Sequence, residues 1–384
     1  MCIRDRIKIP KNRLRKLKTF TLAQKPYELE NLNPEKINNN LIDLCSNDYF
    51  GLSRDKDVIK ASYEISLSQG LGSGSSRFIT GSRPIHTLLE AELAEWLNQE
   101  KVLLFPSGFQ ANIAAVQGLA NRNSIVIADK LIHNSLLVGI KASGSKLVRF
   151  AHNDLKDLEN KILKFNSAQK SILIIVESLY SMEGSIAPLK EITEICKKYN
   201  VQLLVDEAHA LGVLGPEGKG LSFDLSDDIT MLTGTFGKSF GSGGAFIACN
   251  SKIGEYLIQT SGAFRYTTAL SPALAGGALK SLQKIKNNKE WGIDLLIASA
   301  KWKKEILQNF NYPIKGESQI LSIIVGQEEK TILLQKHLEK NGFLAIAIRP
   351  PTVQVNESRI RLTIRRDLNL EILKNFTSVL KTFK

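Results

Sequence analysis

Between Lys101 and Cys249 one pattern recurs: a short apolar run of strand length, a few small or polar residues, then a helical stretch. Residues 101–105, 124–128, 146–150, 171–176, 203–205, 229–232 and 244–249 are such runs. A strand reads as continuously apolar, rather than alternating, when both of its faces are covered. Strands that alternate with helices favour parallel neighbours joined by crossovers. The pattern therefore predicts an α/β fold with a large, mostly parallel sheet covered by helices. In such sheets ligands collect at the loops that follow the carboxyl ends of the strands.

Two of those loops carry chemistry. Thr233-Gly-Thr-Phe-Gly-Lys-Ser-Phe-Gly-Ser-Gly-Gly244 sets Lys238 on a glycine-rich turn between two runs of strand length. A nucleotide phosphate loop is excluded, because its spacing requires glycine where Leu232 stands and a helix, not a strand, must follow. The run at 203–205 ends in Asp206, with His209 three residues on. A carboxylate at a buried strand end can pair with a protonated ring nitrogen, and a lysine can form a Schiff base with an aldehyde. Together these residues describe a pyridoxal-phosphate site. Residues 106–112 lead into a helix expected over 113–120, and Gly108 and Phe109, with the unpaired N–H groups of a helix start, could cradle a phosphate; an ordinary strand-to-helix turn is the alternative. His133 lies just beyond another strand end, although a lone histidine is more often structural. Ser76 sits in the glycine-serine loop 70–77, and Asn47 in a turn closed by Gly51 that also reads as a simple Asx-turn.

Five motifs, in this order and spacing, carry a resemblance. They are Ser46-Asn-Asp-Tyr-Phe-Gly-Leu52, Gly72-Ser-Gly-Ser-Ser-Arg77, Asp206-Glu-Ala-His-Ala-Leu-Gly212, Thr235-Phe-Gly-Lys238 and Arg349-Pro-Pro-Thr-Val353. The chain resembles the α-oxoamine synthases, pyridoxal 5'-phosphate enzymes of the aspartate-aminotransferase fold (fold type I), with a large sheet domain and a smaller α+β C-terminal lobe. The resemblance implies that Lys238 bears the cofactor, Asp206 pairs with the pyridine nitrogen, His209 meets the phenolic oxygen and His133 stacks on the ring. It assigns Gly108, Phe109, Ser181 and Thr235 to cofactor binding. Thr267, with Thr268, would reach the phosphate of a partner subunit, which implies a homodimer with shared sites. Arg15, Asn47, Ser76, His133, Arg349 and Thr352 are the substrate candidates. Members of the family condense an amino acid with an acyl thioester and release carbon dioxide. The segment 347–353 looks most like the member that uses L-alanine and a pimeloyl thioester, with coenzyme A or a carrier protein as the acyl carrier.

The expected organisation is an N-terminal arm and linker (1–45), a large cofactor-binding domain (46–270) and a C-terminal part (271–384). That last part is expected to hold a long helix over 272–309, strands at 319–325, 343–348 and 359–364, and helices over 330–340 and from 368 onward. A helix over 82–97 is expected to be capped by Ser82 and to bury Ile85, Leu88, Leu89, Leu93, Trp96 and Leu97.

Charge is uneven. Of a net +13, residues 1–18 supply +7, which reads as a solvated basic arm, a nucleic-acid arm or an organellar transit segment. No aromatic-basic interleaving or nucleic-acid module accompanies it, so no nucleic-acid partner is expected. No apolar run approaches the ~20 residues of a membrane helix, and no apolar signal segment follows the basic residues. The four cysteines, Cys2, Cys45, Cys196 and Cys249, form no C-x-x-C pair, and the five histidines are scattered. A cytoplasmic enzyme with no metal and no membrane contact is the expectation.

Overall fold

A computed structural model describes residues 13–14, 17–32, 40–166 and 170–383. Contacts divide the chain into two units. The smaller takes the chain up to Tyr49, Met182–Ser185 and Asp294 onward; the larger takes Phe50–Ser181 and Ile186–Ile293. These bounds differ from the expected 1–45, 46–270 and 271–384. The first strands fold with the C-terminal residues, and residues 271–293 fold with the large unit.

The smaller unit begins with β1 (Phe20–Leu22), β2 (Glu28–Asn31) and β3 (Asn40–Asp43). The chain then enters the larger unit through α1 (Lys56–Gln69) and α2 (Pro84–Leu97). Seven strands follow: β4 (Lys101–Phe105), β5 (Ile125–Asp129), β6 (Lys146–Phe150), β7 (Ile172–Glu177), β8 (Gln202–Asp206), β9 (Met231–Thr235) and β10 (Ala245–Cys249). They form one sheet in the order β4-β10-β9-β8-β7-β5-β6. All seven apolar runs of the sequence are therefore strands of a single sheet. Pairing is parallel from β9 through β8, β7 and β5 to β6, whereas β10 lies antiparallel to both β4 and β9.

Interleaved helices are α3 (Gly108–Leu119), α4 (Asn134–Ser143), α5 (Leu155–Asn166) and α6 (Leu189–Tyr199); after β10 come α7 (Ser251–Thr260), α8 (Gly262–Arg265) and α9 (Pro272–Asn287). They bury both faces of every strand but β6, an edge strand on which residues 146, 147 and 149 are exposed, and this explains the continuous apolarity of the others. Along β5, Val126 and Ala128 enter one core with residues of α3, α4 and α7, while Ile125 and Ile127 enter the other with residues of α5 and α6.

Three helix expectations need correction. Arg83, not Ser82, caps α2; Ser82 Oγ instead accepts from Arg77 Nε (3.0 Å), whose guanidinium also grips both Glu90 oxygens. Leu88 is 50% exposed rather than buried. The helix expected over 272–309 is two helices, α9 and α10 (Trp291–Asn309). Asn288 ends the first by turning its side-chain amide back to the Lys284 carbonyl (2.7 Å), and α10 carries the chain into the smaller unit.

That unit then adds β11 (Ile314–Lys315), β12 (Ile320–Gly326), α11 (Glu328–Lys340), β13 (Phe343–Leu344), β14 (Ile346–Ile348), β15 (Ser358–Thr363) and α12 (Leu370–Lys381). The single strand expected at 343–348 is split, because its two halves serve different sheets. β13 pairs with β3 in the sheet β1-β2-β3-β13, and β14 pairs with β15 in the sheet β11-β12-β15-β14. Much of the basic arm lies outside the described residues, but Arg13 and Lys18 reach Glu328 (2.7 Å) and Glu339 (2.9 Å) of α11. Among the described residues no helix is long and apolar enough to cross a membrane.

Candidate active site

Parallel pairing sends β5, β7, β8 and β9 in one direction, so the residues at their ends are delivered to one edge of the sheet. Asp206 ends β8 and pairs in register with Thr233 of β9 and with Glu177 of β7. Lys238 lies on the turn between β9 and β10, as expected. What the sequence did not reveal is how that turn is held. Phe236 and Phe240, on either side of the lysine, are fully buried and meet edge to face at 5.5 Å; Phe240 packs in turn on Trp96. Ser239 Oγ donates to the Leu211 carbonyl (2.5 Å). Gly241 adopts φ +58°, and a β-carbon there would lie 2.2 Å from the Ser53 amide nitrogen, so this position requires glycine. Two aromatic anchors thus flank a half-buried lysine.

Asp206 is 6% exposed and fully engaged. Its Oδ1 accepts from the Ala208 backbone N–H (2.9 Å), and its Oδ2 from the Asn112 side chain (2.7 Å). Asn112 also contacts Thr233 Oγ1 (2.7 Å) and Ser135 Oγ (2.9 Å), and Ser135 Oγ contacts His133 Nδ1 (2.7 Å). His133 is the N-cap of α4. Packing that strips water from its ring holds it below the ordinary imidazole range; Asp206 opposes that effect and the Lys238 charge reinforces it. One electrostatic neighbourhood thus contains His133, Asp206 and Lys238. His209 lies on the turn after β8, 7% exposed and engaged by neighbours.

The residues expected to cradle a phosphate lie close to one another. Ser107 caps α3 by accepting from the Gln110 N–H (3.3 Å), so the helix starts at Gly108 and not after residue 112. A β-carbon on Gly108 would stand 3.5 Å from Thr235 Cβ. Thr235 Oγ1 donates to the Gly244 carbonyl (3.0 Å) and accepts from the Gly237 N–H (3.2 Å). Phe109 is exposed, and Ser181 is half-buried in the turn after β7. Free N–H groups at a helix start, a buried acceptor at Asp206 and an amine at Lys238 are the donor set that a phosphorylated pyridine aldehyde needs, so the residues fit that group.

Other candidates fall elsewhere. Ser76 and Thr267 share an open groove of about 530 Å³ with Phe78, Ile79, Arg265 and Tyr266. Asn47, Arg349 and Thr352 belong to the smaller unit, where Asn47 Oδ1 accepts from Arg361 Nη2 (2.9 Å) and the Thr352 N–H donates to the Arg349 carbonyl (3.0 Å). Arg15 lies outside the described residues. Sequence reading missed Asn112, Ser135, Thr233 and Arg361. Arg361 is 8% exposed on β15 and also donates to Thr363 Oγ1 (3.0 Å). The signal for it was available: arginines at 359 and 361 within an otherwise apolar strand.

Residues 39–377 match the family of class I and II aminotransferases. The chain belongs to this family. Its cofactor is pyridoxal phosphate, and its fold is the fold type I expected from the sequence. An 8-amino-7-oxononanoate synthase of Saccharophagus degradans is 38% identical over 328 residues, covering 84% of this chain and 82% of that protein. Serine palmitoyltransferase of Sphingomonas wittichii superposes with a TM-score of 0.89 at 26% identity, over 95% of this chain and 91% of that one. A crystal structure of 8-amino-7-oxononanoate synthase from Francisella tularensis gives 0.77 at 27% identity, over 89% and 97%. Within the family this chain is an α-oxoamine synthase-like enzyme.

Proposed function

We propose that this family member joins L-alanine to a pimeloyl thioester, carried on coenzyme A or a carrier protein, and releases carbon dioxide, the free thiol and 8-amino-7-oxononanoate for biotin synthesis in the cytoplasm. The observation that carries the reading is the 38% identity, over most of both chains, with a protein of that name, beside a lysine, an engaged aspartate and a histidine at one sheet edge. Lys238 would hold the cofactor, Asp206 would accept from its ring nitrogen, and the start of α3 with Gly108, Phe109 and Thr235 would take its phosphate. His209 and Ser181 would fix its remaining oxygens. Bound pyridoxal phosphate supplies an electron sink for the charge that develops at the amino-acid Cα. The Lys238 amine, once released by the incoming amino acid, removes the Cα proton and later returns one. The new carbon–carbon bond forms as the thiol leaves, and loss of carbon dioxide precedes reprotonation. Asn47, Ser76, Arg349 and Thr352 are the residues assigned to the substrate, with Arg15 as a further candidate.

The enzyme is proposed to act as a homodimer in which Thr267 reaches the partner's phosphate. Support comes from apolar side chains left uncovered on α1 (Ile59, Tyr63, Leu67) and around the groove that holds Thr267, where Tyr266 is 81% exposed. A second reading, serine with a palmitoyl thioester, is favoured by the high TM-score to serine palmitoyltransferase. Comparison of kcat/KM for alanine plus pimeloyl thioester against serine plus palmitoyl, glycine plus acetyl and glycine plus succinyl thioesters tests the assignment. Preference for any of the latter three retains the chemistry and rejects the substrate.

A further inference from the structure

We propose that Asn112 and Ser135 form a one-way hydrogen-bond relay from Asp206 to His133, which holds the carboxylate in place and fixes His133 as a neutral ring protonated on Nε2. It rests on the pyridoxal-phosphate site described above and not on the choice of substrates.

The direction of every hydrogen in the relay follows from its ends. Asp206 Oδ2 lies 2.7 Å from the Asn112 side chain, and an ionised carboxylate only accepts, so the amide NH2 of Asn112 faces it. The amide oxygen then points to Thr233, whose hydroxyl donates to it at 2.7 Å. The second amide hydrogen goes to Ser135 Oγ at 2.9 Å. Having accepted there, the Ser135 hydroxyl passes its own hydrogen to His133 Nδ1 at 2.7 Å. The backbone N–H of Ser135 approaches the same ring nitrogen at 3.3 Å, and an N–H can only donate. Nδ1 thus receives two donors and must keep its lone pair, which leaves the ring proton on Nε2.

Burial makes the arrangement compulsory. Asn112, Ser135 and Thr233 are 4%, 0% and 2% exposed, so water has little access to replace a missing partner. Every hydrogen and acceptor of the Asn112 amide is used, and reversing it would set its NH2 against the Thr233 hydroxyl and its oxygen against the carboxylate. The depressed basicity of His133 agrees with a ring held neutral. The consequence for chemistry is specific: His133 offers an N–H to a bound acceptor and has no free lone pair with which to take a proton. Asn112, Ser135 and Thr233 are positioning residues that act through Asp206 and His133.

The test uses the full chain loaded with pyridoxal phosphate and labelled with 15N-histidine, at mildly alkaline pH, with the His133 signals identified by their loss in His133→Gln. Long-range proton–nitrogen correlations distinguish a ring protonated on Nε2 from one protonated on Nδ1. The expected result is the Nε2–H pattern in the wild type, kept in Ser135→Ala by the backbone N–H of residue 135 but with the His133 Nδ1 resonance shifted by the loss of one of its two donors, and with cofactor affinity changed by less than about threefold. Asn112→Leu is expected to weaken cofactor binding by about tenfold or more, because Asp206 loses a buried partner. A wild-type His133 that is protonated on Nδ1 or doubly protonated overturns the relay. So does an unchanged His133 Nδ1 resonance in Ser135→Ala, or unchanged cofactor affinity in a folded Asn112→Leu. If Asn112→Leu does not fold, the wild-type and Ser135→Ala spectra decide. A wild type that binds no cofactor instead removes the site reading itself.

Discussion

Gly108 and Thr235 face one another closely enough that a β-carbon on the glycine would lie 3.5 Å from Thr235 Cβ, an ordinary contact distance. The backbone there does not demand glycine, so substitution tests the proposed cradle without breaking the fold. Gly108→Ala should bind pyridoxal phosphate nearly as the wild type does. Gly108→Asp should bind it at least ~10-fold more weakly, since a carboxylate then opposes the phosphate at the helix start. Equilibrium titration of the cofactor's absorbance measures both, and equal affinity of the two variants would remove Gly108 from the cradle.

Lys238 lies between two buried phenylalanines that hold the turn independently of its amine. Lys238→Ala should therefore fold normally, lose the cofactor's characteristic visible absorbance and accept no label from borohydride. Peptide mapping of the reduced wild type should find the cofactor on this residue. A label on another lysine would refute the assignment.

For Asp206→Asn, cofactor binding should persist while turnover falls by ~10³-fold or more, because a neutral amide no longer stabilises a protonated ring nitrogen. Single-turnover kinetics on the loaded variant separate the loss from any change in affinity. Near-normal turnover would contradict the electron-sink role.

Shared sites predict complementation. Lys238→Ala mixed with an inactive Thr267→Tyr variant should regain part of the wild-type activity, because one of the two hybrid sites has both native residues. Sedimentation should show a dimer; full activity in a monomer would exclude the arrangement.

His86 sits inside α2, where its Nδ1 accepts from the Arg83 N–H (3.1 Å) and its Nε2 meets the Leu270 carbonyl (2.8 Å). Burial, aided by the Arg77 and Arg83 charges, lowers its pKa to about 4 from an ordinary 6.5, against a smaller opposing effect of its bond to Leu270. Between those values the unfolded chain binds the proton and the folded one does not. Stability therefore falls as pH drops through this window and is constant, as far as His86 is concerned, above it. Urea midpoints for wild type and His86→Gln should show a shallower acid slope in the variant. Parallel slopes would mean that His86 charges at no cost.

The sheet was legible because burial on both faces writes itself into consecutive residues, as in 124–128 and 171–176. Helix α1 was not, since Ile59, Tyr63 and Leu67 are exposed and only Val58 is fully buried. β1 and β2 likewise present little apolar pattern. Lys238 and Asp206 could be found because each follows an apolar run and carries chemistry of its own. Asn112 and Ser135 could not: a polar residue in a helix gains its meaning only when the strand opposite it, here Thr233 and Asp206, is known in register.

The insertion of β10 between β4 and β9 has a kinetic corollary. The hairpin that carries Lys238 closes over a handful of residues, whereas the pairing of Phe105 with Ala245, which brings Gly108 beside Thr235, spans on the order of a hundred. The anchoring lysine can thus be in its turn long before the phosphate cradle exists. Pyridoxal phosphate added during refolding would find a reactive amine early but a tight site only after the long-range strand pairing is complete, so acquisition of the tightly held cofactor times the slowest topological step of the large unit.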